Sequence, residues 1–403
     1  MGELKSGWRR VKFGDVVRQV KDKVPAKESG LSRYIAGEHM DTNDLRLRRW
    51  GEINDDYLGP AFHIRFRPGQ VLYGSRRTYL RKVAVAGFDG VCANTTFVVE
   101  SKSPGILLPE LLPFIMTTEA FHEHSVRESK GSVNPYVNFS DLAWYEFALP
   151  PLEEQGKISR ILQRSAELQA SYADLVQVAK TTHRSFVDQT LGYGAQRPCF
   201  EKEPPSIRRG WAYQPIEALC EALVDCLHRT PKYSKAGFPA IRTADVEPGF
   251  LRWETARRVP ESEYLIQTTR LRPKPGDVLF SREGERMGMA ALVPEGVSLC
   301  ISQRMMHLRP KPNFPANLLM EYLNSSWAQR QILMHKSGST SPHINVADVR
   351  RLMVPVPPRP LWPRFSDDCA ELLASVAQAE SRSVRATEVC VAVREDLLAR
   401  ANA

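Results

Sequence analysis

The sequence lacks several features that would assign it to a common class. Its 403 residues contain no run of 18 consecutive apolar residues, so the sequence predicts no membrane span. The N-terminal segment MGELKSGWRR has no apolar signal core, and we expect no export. The seven cysteines never form a C-x-x-C pair, and their odd number argues against a disulfide framework. Free thiols in a reducing cytoplasm are therefore expected.

Motifs of catalysis and metal binding are also absent. The nine histidines form no H-E-x-x-H pattern, and neither a G-x-x-x-x-G-K-[ST] phosphate loop nor a G-x-S-x-G turn occurs. Asn134-Pro135-Tyr136 lacks the second proline of the Asn-Pro-Pro-Tyr motif of adenine methyltransferases. We therefore expect no metal, no cofactor and no catalytic site, and interpret the chain as a binding module.

Positive charge is in excess, with 55 Lys and Arg residues against 46 Asp and Glu residues. The resulting net charge of +9 favours an anionic partner, nucleic acid first, although charge alone decides nothing. The length is sufficient for two domains or more.

The second half of the chain repeats the first. Matching residues lie 207 positions apart, and these pairs are Gly131 and Gly338, Pro135 and Pro342, Asn138 and Asn345, Asp141 and Asp348, Pro150-Pro151 and Pro357-Pro358, and Pro68-Gly69 and Pro275-Gly276. VCANTTFVV from Val91 faces LCISQRMMHL from Leu299 at a spacing of 208, and two Gly-Trp pairs are 203 apart. So many matches at nearly constant spacing indicate a duplication.

Each copy consists of a globular part followed by a helical segment. Short apolar runs such as GQVLYGS and GDVLFSR predict strands, with short helices between them, so we expect an α+β fold with mixed sheets. The predicted segments are a first domain over 1–151, a long helix over 152–194, a second domain over 195–358 and a long helix over 359–403. Gly192 and Gly194 are expected to end the first helix.

Both helical segments carry apolar and small residues at alternating steps of three and four, which is typical of a coiled-coil seam. The predicted seam positions are Ile158, Ile161, Ser165, Leu168, Tyr172, Leu175, Ala179, Thr182 and Phe186 in the first helix, and Cys369, Leu372, Val376, Ala379, Ser383, Ala386, Cys390, Val393 and Leu397 in the second. We expect the helices to pair antiparallel, which would relate the two copies by a pseudo-twofold axis. The alternative is that each helix packs on its own domain.

A basic, turn-rich loop follows the Pro-Gly-led strand in each copy. YGSRRTYLRK provides Arg76, Arg77, Tyr79, Arg81 and Lys82, whereas the second copy provides Arg282, Glu283 and Arg286. Arginine can pair with guanine and glutamate can accept from cytosine, while Lys and Arg hold phosphates. We predict that these loops contact DNA and that the two copies read different sequences.

Polar loops supply the remaining candidates for DNA contact, which are Asn94, Thr95, Ser132, Asn134 and Tyr136 in the first copy and Ser302, Gln303, Arg304, Ser339, Ser341 and His343 in the second. The residues Asn138, Asp141, Asn345 and Asp348 are interpreted mainly as structural, since such side chains also cap helices. Arg46, Arg48 and Arg49 fit either a phosphate-binding stripe or the solvated edge of a strand.

Taken together, these motifs resemble the DNA-specificity subunit of type I restriction–modification systems over essentially the whole chain. The carriers are GWRRVKFGDV, YIAGEHMD, PGQVLYGSRRTYLRKVAVA, NFSDLAWYEFALPPLEEQGKISRIL, FPAIRTADVEPG and GDVLFSREGERMGMAALVPEG, of which LPPLEEQ before a long helix is the most specific. The second proline segment, VPPRPLWPRF, departs from this pattern because it lacks the Glu-Glu-Gln of Glu153, Glu154 and Gln155.

The resemblance implies that each globular copy is a target-recognition domain for half of a bipartite sequence in double-stranded DNA. It also implies two partner methyltransferase subunits that carry S-adenosylmethionine, with Glu153, Glu154 and Gln155 as candidate partner contacts, and a nuclease or translocase subunit that can join them. The chain itself would be a non-catalytic, cytoplasmic protein without a membrane partner. Two alternatives remain open: a stand-alone nucleic-acid-processing enzyme and a two-headed protein-interaction scaffold.

Overall fold

The structure is a computed structural model, and its chain divides into two compact units. It describes residues 4–26, 29–53, 58–191, 208–338 and 342–399. Unit 1 consists of Met1–Leu175 with Glu380–Ala403, and unit 2 consists of Val176–Ala379. Each unit thus contains one globular copy together with parts of both long helices.

Unit 1 is a mixed β structure in the residues that are described. Its strands are β1 (Arg9–Lys12), β2 (Val17–Val20), β3 (Arg33–Ile35), β4 (Gly51–Glu52), β5 (Phe62–Phe66), β6 (Val71–Gly74), β7 (Val83–Val85), β8 (Gly90–Ala93), β9 (Thr96–Ser101) and β10 (Glu146–Leu149). They form a β1-β10 ribbon and two four-stranded sheets with the orders β2-β9-β6-β7 and β4-β3-β8-β5. The β3-β8 pair is parallel, and the other pairs are antiparallel.

Short helices pack on these sheets and close the core of unit 1. They are α1 (Phe13–Val16), α2 (Leu112–Ile115), α3 (Glu119–Arg127) and α4 (Phe139–Ala143). The predicted structural role of Asn138 and Asp141 is confirmed, because the backbone N–H of Asn138 donates to Asp141 Oδ2 at 3.1 Å and closes the start of α4. Phe13 and Phe121 are fully buried at the centre of this core, with ring centroids 5.3 Å apart.

A long helix, α5 (Leu152–Thr190), leads from unit 1 into unit 2 along the chain. The described strands of unit 2 are β11 (Ala212–Pro215), β12 (Cys220–Asp225), β13 (Phe238–Ile241), β14 (Val246–Glu247), β15 (Phe250–Leu251), β16 (Arg257–Val259), β17 (Val278–Ser281), β18 (Ala290–Leu292), β19 (Cys300–Ile301), β20 (Met305–Pro310) and β21 (Met353–Val356). They form the ribbons β11-β21 and β14-β15, a four-stranded sheet of order β12-β20-β17-β18 and a three-stranded sheet of order β16-β13-β19.

The helices of unit 2 are α6 (Ile216–Leu219), α7 (Glu261–Gln267), α8 (Ala316–Asn324), α9 (Ser326–Met334) and α10 (Val346–Arg351), and a second long helix, α11 (Trp362–Ala399), ends the described chain. The strand pairs of unit 2 repeat those of unit 1, including a parallel β13-β19 pair that matches β3-β8. The α+β duplication predicted from the sequence is therefore confirmed.

The two units differ where unit 1 adds β5 as a fourth strand to its β3-β8 sheet. Unit 1 has the alternating sequence FHIRF there, and Ile64 and Phe66 are the buried residues. Unit 2 instead continues from Pro260 into α7, whose first turn carries Glu261 and Glu263 beside the positive helix end.

The strand register also corrects the spacing of one repeated segment. Tyr34 pairs with Val91 in unit 1, and the matching pair in unit 2 is Ala240 with Cys300. Val91 and Cys300 are 209 positions apart, so the spacing of 208 expected from the sequence was wrong by one residue.

The seam predicted for α5 is only half correct. Ile158 is buried, but Ile161, Leu168 and Leu175 are 49%, 50% and 43% exposed. The buried face instead runs through Gln155, Ile158, Leu162, Ala170, Val176, His183 and Val187. Every second predicted position therefore lies one residue away from the face that is buried. That face includes polar residues such as Gln155 and His183, which a search for apolar residues passes over.

All nine seam positions predicted for α11 are buried or half-buried, so that prediction is confirmed. Within unit 1, Cys390 Sγ of α11 donates to Ser165 O of α5 at 3.1 Å. Within unit 2, the rings of Phe186 and Phe365 stack with centroids 6.4 Å apart. In each unit the two helices run antiparallel, since early residues of one lie beside late residues of the other.

The end of α5 differs slightly from the prediction. The helix stops at Thr190, and Gly192 and Gly194 lie outside the described residues. α11 begins at Trp362, after a 3₁₀ turn over Arg359–Leu361. Over the described part of the chain, no helix has an apolar stretch sufficient to span a bilayer.

Candidate nucleic-acid interface

The three polar loops predicted to contact DNA in the first copy lie together in unit 1. Backbone hydrogen bonds join them: Ser75 N donates to Thr95 O at 3.0 Å, and Arg77 N donates to Pro135 O at 2.6 Å. Arg76 and Tyr136 form an antiparallel bridge between two of the loops. We call residues 75–82, 94–95 and 130–137 the unit 1 loop cluster.

Arg77 occupies a strained backbone position in this cluster. Its φ of 50° and ψ of 57° are left-handed, and it precedes a 3₁₀ turn over Thr78–Leu80. Such a conformation costs a non-glycine residue on the order of 1–3 kcal/mol. Arg77 Nε donates to Asn134 Oδ1 at 3.0 Å, and the guanidinium joins no ion pair found among the described residues. An exposed arginine is thus fixed at its Nε edge only.

Two aromatic side chains, Tyr136 and Tyr79, lie in the same loop cluster as Arg77. The Arg76 guanidinium lies 5.1 Å from the ring centroid of Tyr136, which is a cation–π distance. Tyr136 is 37% exposed and Tyr79 is 55% exposed. Ser132 and Asn94 are exposed as well, and Thr95 is half-buried. The cluster therefore offers cations, amides and aromatic faces to solvent.

Arg81 and Lys82 are held by the chain itself. The guanidinium of Arg81 donates to both carboxylate oxygens of Glu119, and the distance from Nη2 to Oε2 is 2.7 Å. This hydrogen bond is the main reason that the pKa of Glu119 is lowered. Lys82 Nζ donates to Gly37 O. Both side chains fix the loop in unit 1, and this geometry favours a positioning role over direct contact with DNA.

Unit 2 builds a matching cluster from the corresponding loops. Glu283 and His343 form the bridge that matches Arg76 and Tyr136, and Gly284 N donates to Pro342 O at 2.8 Å. Arg282 N donates to Arg304 O at 3.0 Å. We call residues 282–286, 302–304 and 342–344 the unit 2 loop cluster. Ser339 and Ser341, also predicted to contact DNA, lie outside the described residues.

A carboxylate rather than a guanidinium is the central group of the unit 2 loop cluster. Glu283 Oε1 accepts from Arg282 Nη2 at 2.6 Å, and Glu283 Oε2 lies 3.3 Å from Arg304 Nε. The Arg304 side chain is 55% exposed and its φ is 68°, whereas the Arg282 side chain is only 8% exposed. Two arginines therefore neutralise and orient Glu283.

Arg282 and Arg286, which the sequence favoured as readers of bases, are engaged within unit 2. Arg282 Nη1 donates to Ile344 O at 3.2 Å in addition to its bond with Glu283. Arg286 Nη1 donates to Val246 O at 3.2 Å and pairs with Glu247. These contacts give both side chains a role in supporting the loop, and their contact with DNA stays a prediction.

Ser302 and Gln303 contribute less surface than expected. Ser302 is 2% exposed, and its Oγ lies 3.4 Å from Tyr233 Oη. Gln303 is half-buried, and His343 is half-buried in the bridge with Glu283. In this cluster Arg304 and Glu283 are the predicted residues whose charged groups are best placed to meet a ligand.

Arg46, Arg48 and Arg49 lie beside acidic residues of unit 1. Arg48 Nε lies 2.9 Å from Asp44 Oδ2, and Arg48 also pairs with Asp174 of α5. Arg46 Nη1 lies 3.7 Å from Asp174 Oδ2, and Arg49 pairs with Asp41. The three charges are neutralised, which disfavours the phosphate-binding stripe.

A cleft that sequence reasoning missed adjoins the unit 1 loop cluster. It has a volume of about 710 Å³ and is lined by Gln19, Val20, Lys21, Lys23, His63, Ile64, Asn94, Thr96, Phe97, Asn138, Phe139 and Ser140. Lys21 and Lys23 are exposed, and the ion pairs of the described residues include neither. The sequence signal for this cleft was the pair of alternating lysines in VKDKV, at the end of β2. The cleft can accept an anionic backbone.

The three candidate partner contacts at the start of α5 have different surroundings. Glu153 is exposed and pairs with Lys157 at 2.6 Å, while Glu154 Oε2 accepts from Trp8 Nε1 at 2.8 Å. Gln155 is 1% exposed. Its amide donates to Ile106 O and Pro150 O, and its Oε1 accepts from Leu108 N, all at 2.8–2.9 Å. Gln155 therefore joins the helix to its domain, and only Glu153 presents a carboxylate to solvent.

A family model described as "Type I restriction modification DNA specificity domain" matches residues 5–170. The expected resemblance to the specificity subunits of type I restriction–modification systems is therefore confirmed. Over 370 residues it is 20% identical to the MjaVIII specificity subunit of Methanocaldococcus jannaschii, which covers 87% of this chain and 82% of that protein. Over 144 residues it is 28% identical to the EcoDI specificity subunit of Escherichia coli, which covers 36% of this chain but only 30% of that relative.

Solved structures of this family have the same fold. A chain from a study of the assembly of a type I restriction–modification system superposes with a TM-score of 0.51 at 19% identity, covering 100% of this chain and 99% of that chain. The type I S subunit from M. genitalium superposes with a TM-score of 0.53 at 10% identity, covering 99% and 97%. At these identities the likeness concerns the fold alone.

Proposed function

We propose that the chain is a non-catalytic specificity subunit that recognises an asymmetric, bipartite sequence in double-stranded DNA. The observation that carries this proposal is the pair of loop clusters. Both are built on one duplicated framework, yet one presents Arg76 and Arg77 where the other presents Glu283 and Gly284. Identical frameworks with different polar groups suit two different half-sites.

Exposed cations next to the loop clusters would supply the affinity for the DNA backbone. Lys21 and Lys23 line the cleft of unit 1, and Arg304 is exposed in unit 2. Neutralisation of phosphates releases counterions, so binding should weaken steeply as salt rises. This part of the interface positions the DNA and carries no sequence information.

Partner methyltransferase subunits, two per specificity subunit, would provide the catalysis and bind S-adenosylmethionine. A nuclease or translocase subunit would join the same complex. The exposed stripe of Ile161, Leu168 and Leu175 on α5 supports a docked partner, because apolar residues seven positions apart form one continuous face of a helix. Glu153 lies at the start of the same helix and adds an exposed carboxylate.

Co-expression with the neighbouring methyltransferase, followed by mapping of methylated adenines, tests the proposal. The expected result is a bipartite motif with two different halves and a fixed spacer. Methylation or cleavage of DNA by the purified chain alone would support the enzyme alternative. DNA affinity that is absent at low salt would support a protein-interaction scaffold.

The stripe gives an independent test of partner docking. Leu168→Glu places a charge on the exposed face and should abolish co-purification of the methyltransferase while leaving DNA binding by the isolated chain intact. Leu265→Glu is a matched control, since Leu265 is 48% exposed and lies on α7 rather than on α5. Equal co-purification with both variants would exclude the stripe as the docking surface.

A further inference from the structure

One position of the duplicated framework carries arginine in unit 1 and glycine in unit 2. Arg77 and Gly284 are 207 residues apart and make equivalent backbone bonds, from Arg77 N to Pro135 O and from Gly284 N to Pro342 O. Both are left-handed, with φ of 50° and 85°. Glycine adopts this conformation without strain, whereas arginine does not. The framework therefore accepts glycine here, and the arginine side chain of unit 1 is not needed for the turn.

The contacts of Arg77 show which part of its guanidinium remains available. Asn134 Oδ1 accepts from Nε at 3.0 Å, which fixes the plane of the group. Within the described chain, Nη1 and Nη2 make no hydrogen bond to protein, and no carboxylate neutralises the charge. Two parallel N–H donors thus point away from the buttressing amide, in the geometry that suits a pair of acceptors.

We propose that Arg77 reads a guanine in the half-site that unit 1 recognises, and that Asn134 is its positioning residue. The inference rests on the proposed function. Guanine presents two acceptors, O6 and N7, on its major-groove edge, which match the Nη1 and Nη2 donors. Adenine presents a donor in place of O6, and cytosine and thymine offer no such pair. Gly284 lacks the side chain, so unit 2 has no equivalent reader at this position.

Arg77→Gly is the most informative variant, because it installs the residue that unit 2 already has. The protein should fold normally, since the substitution relieves the left-handed strain. Co-expressed with the methyltransferase, it should give a motif in which one guanine of one half-site is replaced by any base, while the other half-site is unchanged. Affinity of the purified variant for the original target should fall by roughly 5- to 150-fold, as for loss of one bidentate pair.

Modified DNA tests the contact at the level of single atoms. Replacement of that guanine by 7-deazaguanine removes the N7 acceptor and should weaken binding by the wild-type chain. The Arg77→Gly variant should bind both duplexes equally. Asn134→Ala should reduce the preference for guanine without abolishing binding, and Asn134→Asp should restore it, because a carboxylate oxygen still accepts from Nε.

The outcomes separate failure of this inference from failure of the proposed function. A wild-type chain that yields no bipartite motif overturns both. A bipartite motif that is unchanged in Arg77→Gly overturns only the reading of guanine. If Arg77→Gly weakens binding to all sequences alike and lowers the salt dependence, Arg77 contacts a phosphate and the inference is wrong.

Discussion

Unit 1 and unit 2 place opposite charges at equivalent points of one strand pair. In unit 1, Glu100 on β9 accepts from Gln70 Nε2 at 2.7 Å and from Arg18 Nη2 at 2.6 Å. In unit 2, the residue that matches Glu100 by strand register is Arg309 on β20, and the residue that matches Gln70 is Asp277. The acidic residue thus lies on β9 in unit 1, whereas in unit 2 it lies in the turn before β17, the strand that pairs with β20.

The exchange also changes how deeply the charge is buried. The carboxylate of Asp277 is 3% exposed and accepts from Arg309 Nη2 at 2.7 Å and from His307 Nε2 at 2.6 Å. In unit 1 the Arg18 partner is 61% exposed. The duplicated backbone thus tolerates different polar networks at equivalent positions. The same tolerance explains how the loop clusters acquired different chemistry without a change in strand register.

The largest expected difference between the units concerns this network. Asp277→Ala removes the carboxylate that Arg309 and His307 share and leaves Arg309 with Arg272 O and the more distant Glu221. It should destabilise unit 2 by about 3–5 kcal/mol, the cost of breaking a buried ion pair by removing one partner. Gln70→Ala should cost unit 1 only about 1 kcal/mol, since Glu100 keeps Arg18. Denaturant unfolding combined with peptide-resolved hydrogen exchange measures both. Similar losses in the two variants would contradict the comparison.

A second difference is the response to acid. Burial is the main cause that lowers the pKa of His122 in unit 1 from 6.5 to about 4, and Arg81 and Arg394 act in the same direction. Because the folded pKa lies below the unfolded value, the stability contribution is complete above pH 6.5 and is lost as pH falls towards 4. The full effect is about 3 kcal/mol.

Unit 2 should respond only at lower pH. Burial alone would raise the pKa of Asp277, but hydrogen bonds from Arg309 and His307 outweigh it and lower the pKa to about 2. Its contribution is present above pH 3.8 and is lost between there and pH 2. At pH 5, the protection factors of backbone amides in hydrogen exchange should fall in peptides of unit 1 and not of unit 2. His122→Leu should remove this difference, because neither ring nitrogen of His122 has a partner among the described residues.

The repeated order of strands, the start of α5 at Leu152 and the seam of α11 could be predicted because they depend on local patterns. The seam predicted for α5 was half wrong because it too was inferred from a local pattern alone. Ile161, Leu168 and Leu175 recur every seven residues as core positions do, yet they are exposed. A pattern of apolar residues shows that a face exists but not which partner covers it.

The engagement of Arg81 and Arg286 could not be predicted, because their acids are distant in sequence. Arg81 pairs with Glu119 and Arg286 pairs with Glu247, across 38 and 39 residues. Only the fold brings these side chains together. The structure brings the predicted loops together around Arg77 and Glu283, and it shows which of their side chains are exposed, whereas their contact with DNA stays a prediction.

The Glu283 carboxylate is the group of unit 2 that we expect to contact a base. Glu283→Gln keeps the shape of the side chain but replaces one carboxylate oxygen with an amide group, which donates hydrogen bonds. This amide cannot accept from Arg282 or Arg304, and the remaining oxygen is a weaker acceptor for the amino group of a base. Affinity for the target should fall by about 1–3 kcal/mol, with relaxed specificity in one half-site only. Mapping of methylated adenines measures this. Combined with Arg77→Gly, the variant should relax both halves; relaxation of the same half by each would show that the clusters do not read separate sequences.

The smallest expected effect tests whether the left-handed turn belongs to the framework. Gly284 has a φ of 85°, and no atom lies within 4 Å of where a Cβ would be. Gly284→Ala should therefore cost about 1 kcal/mol through backbone strain alone. Arg77→Ala should change stability by less than about 0.5 kcal/mol, since unit 1 already accepts a Cβ in this conformation. Thermal unfolding of the two variants measures the difference. A neutral Gly284→Ala would mean that the turn of unit 2 relaxes, and that the strain at Arg77 is peculiar to unit 1.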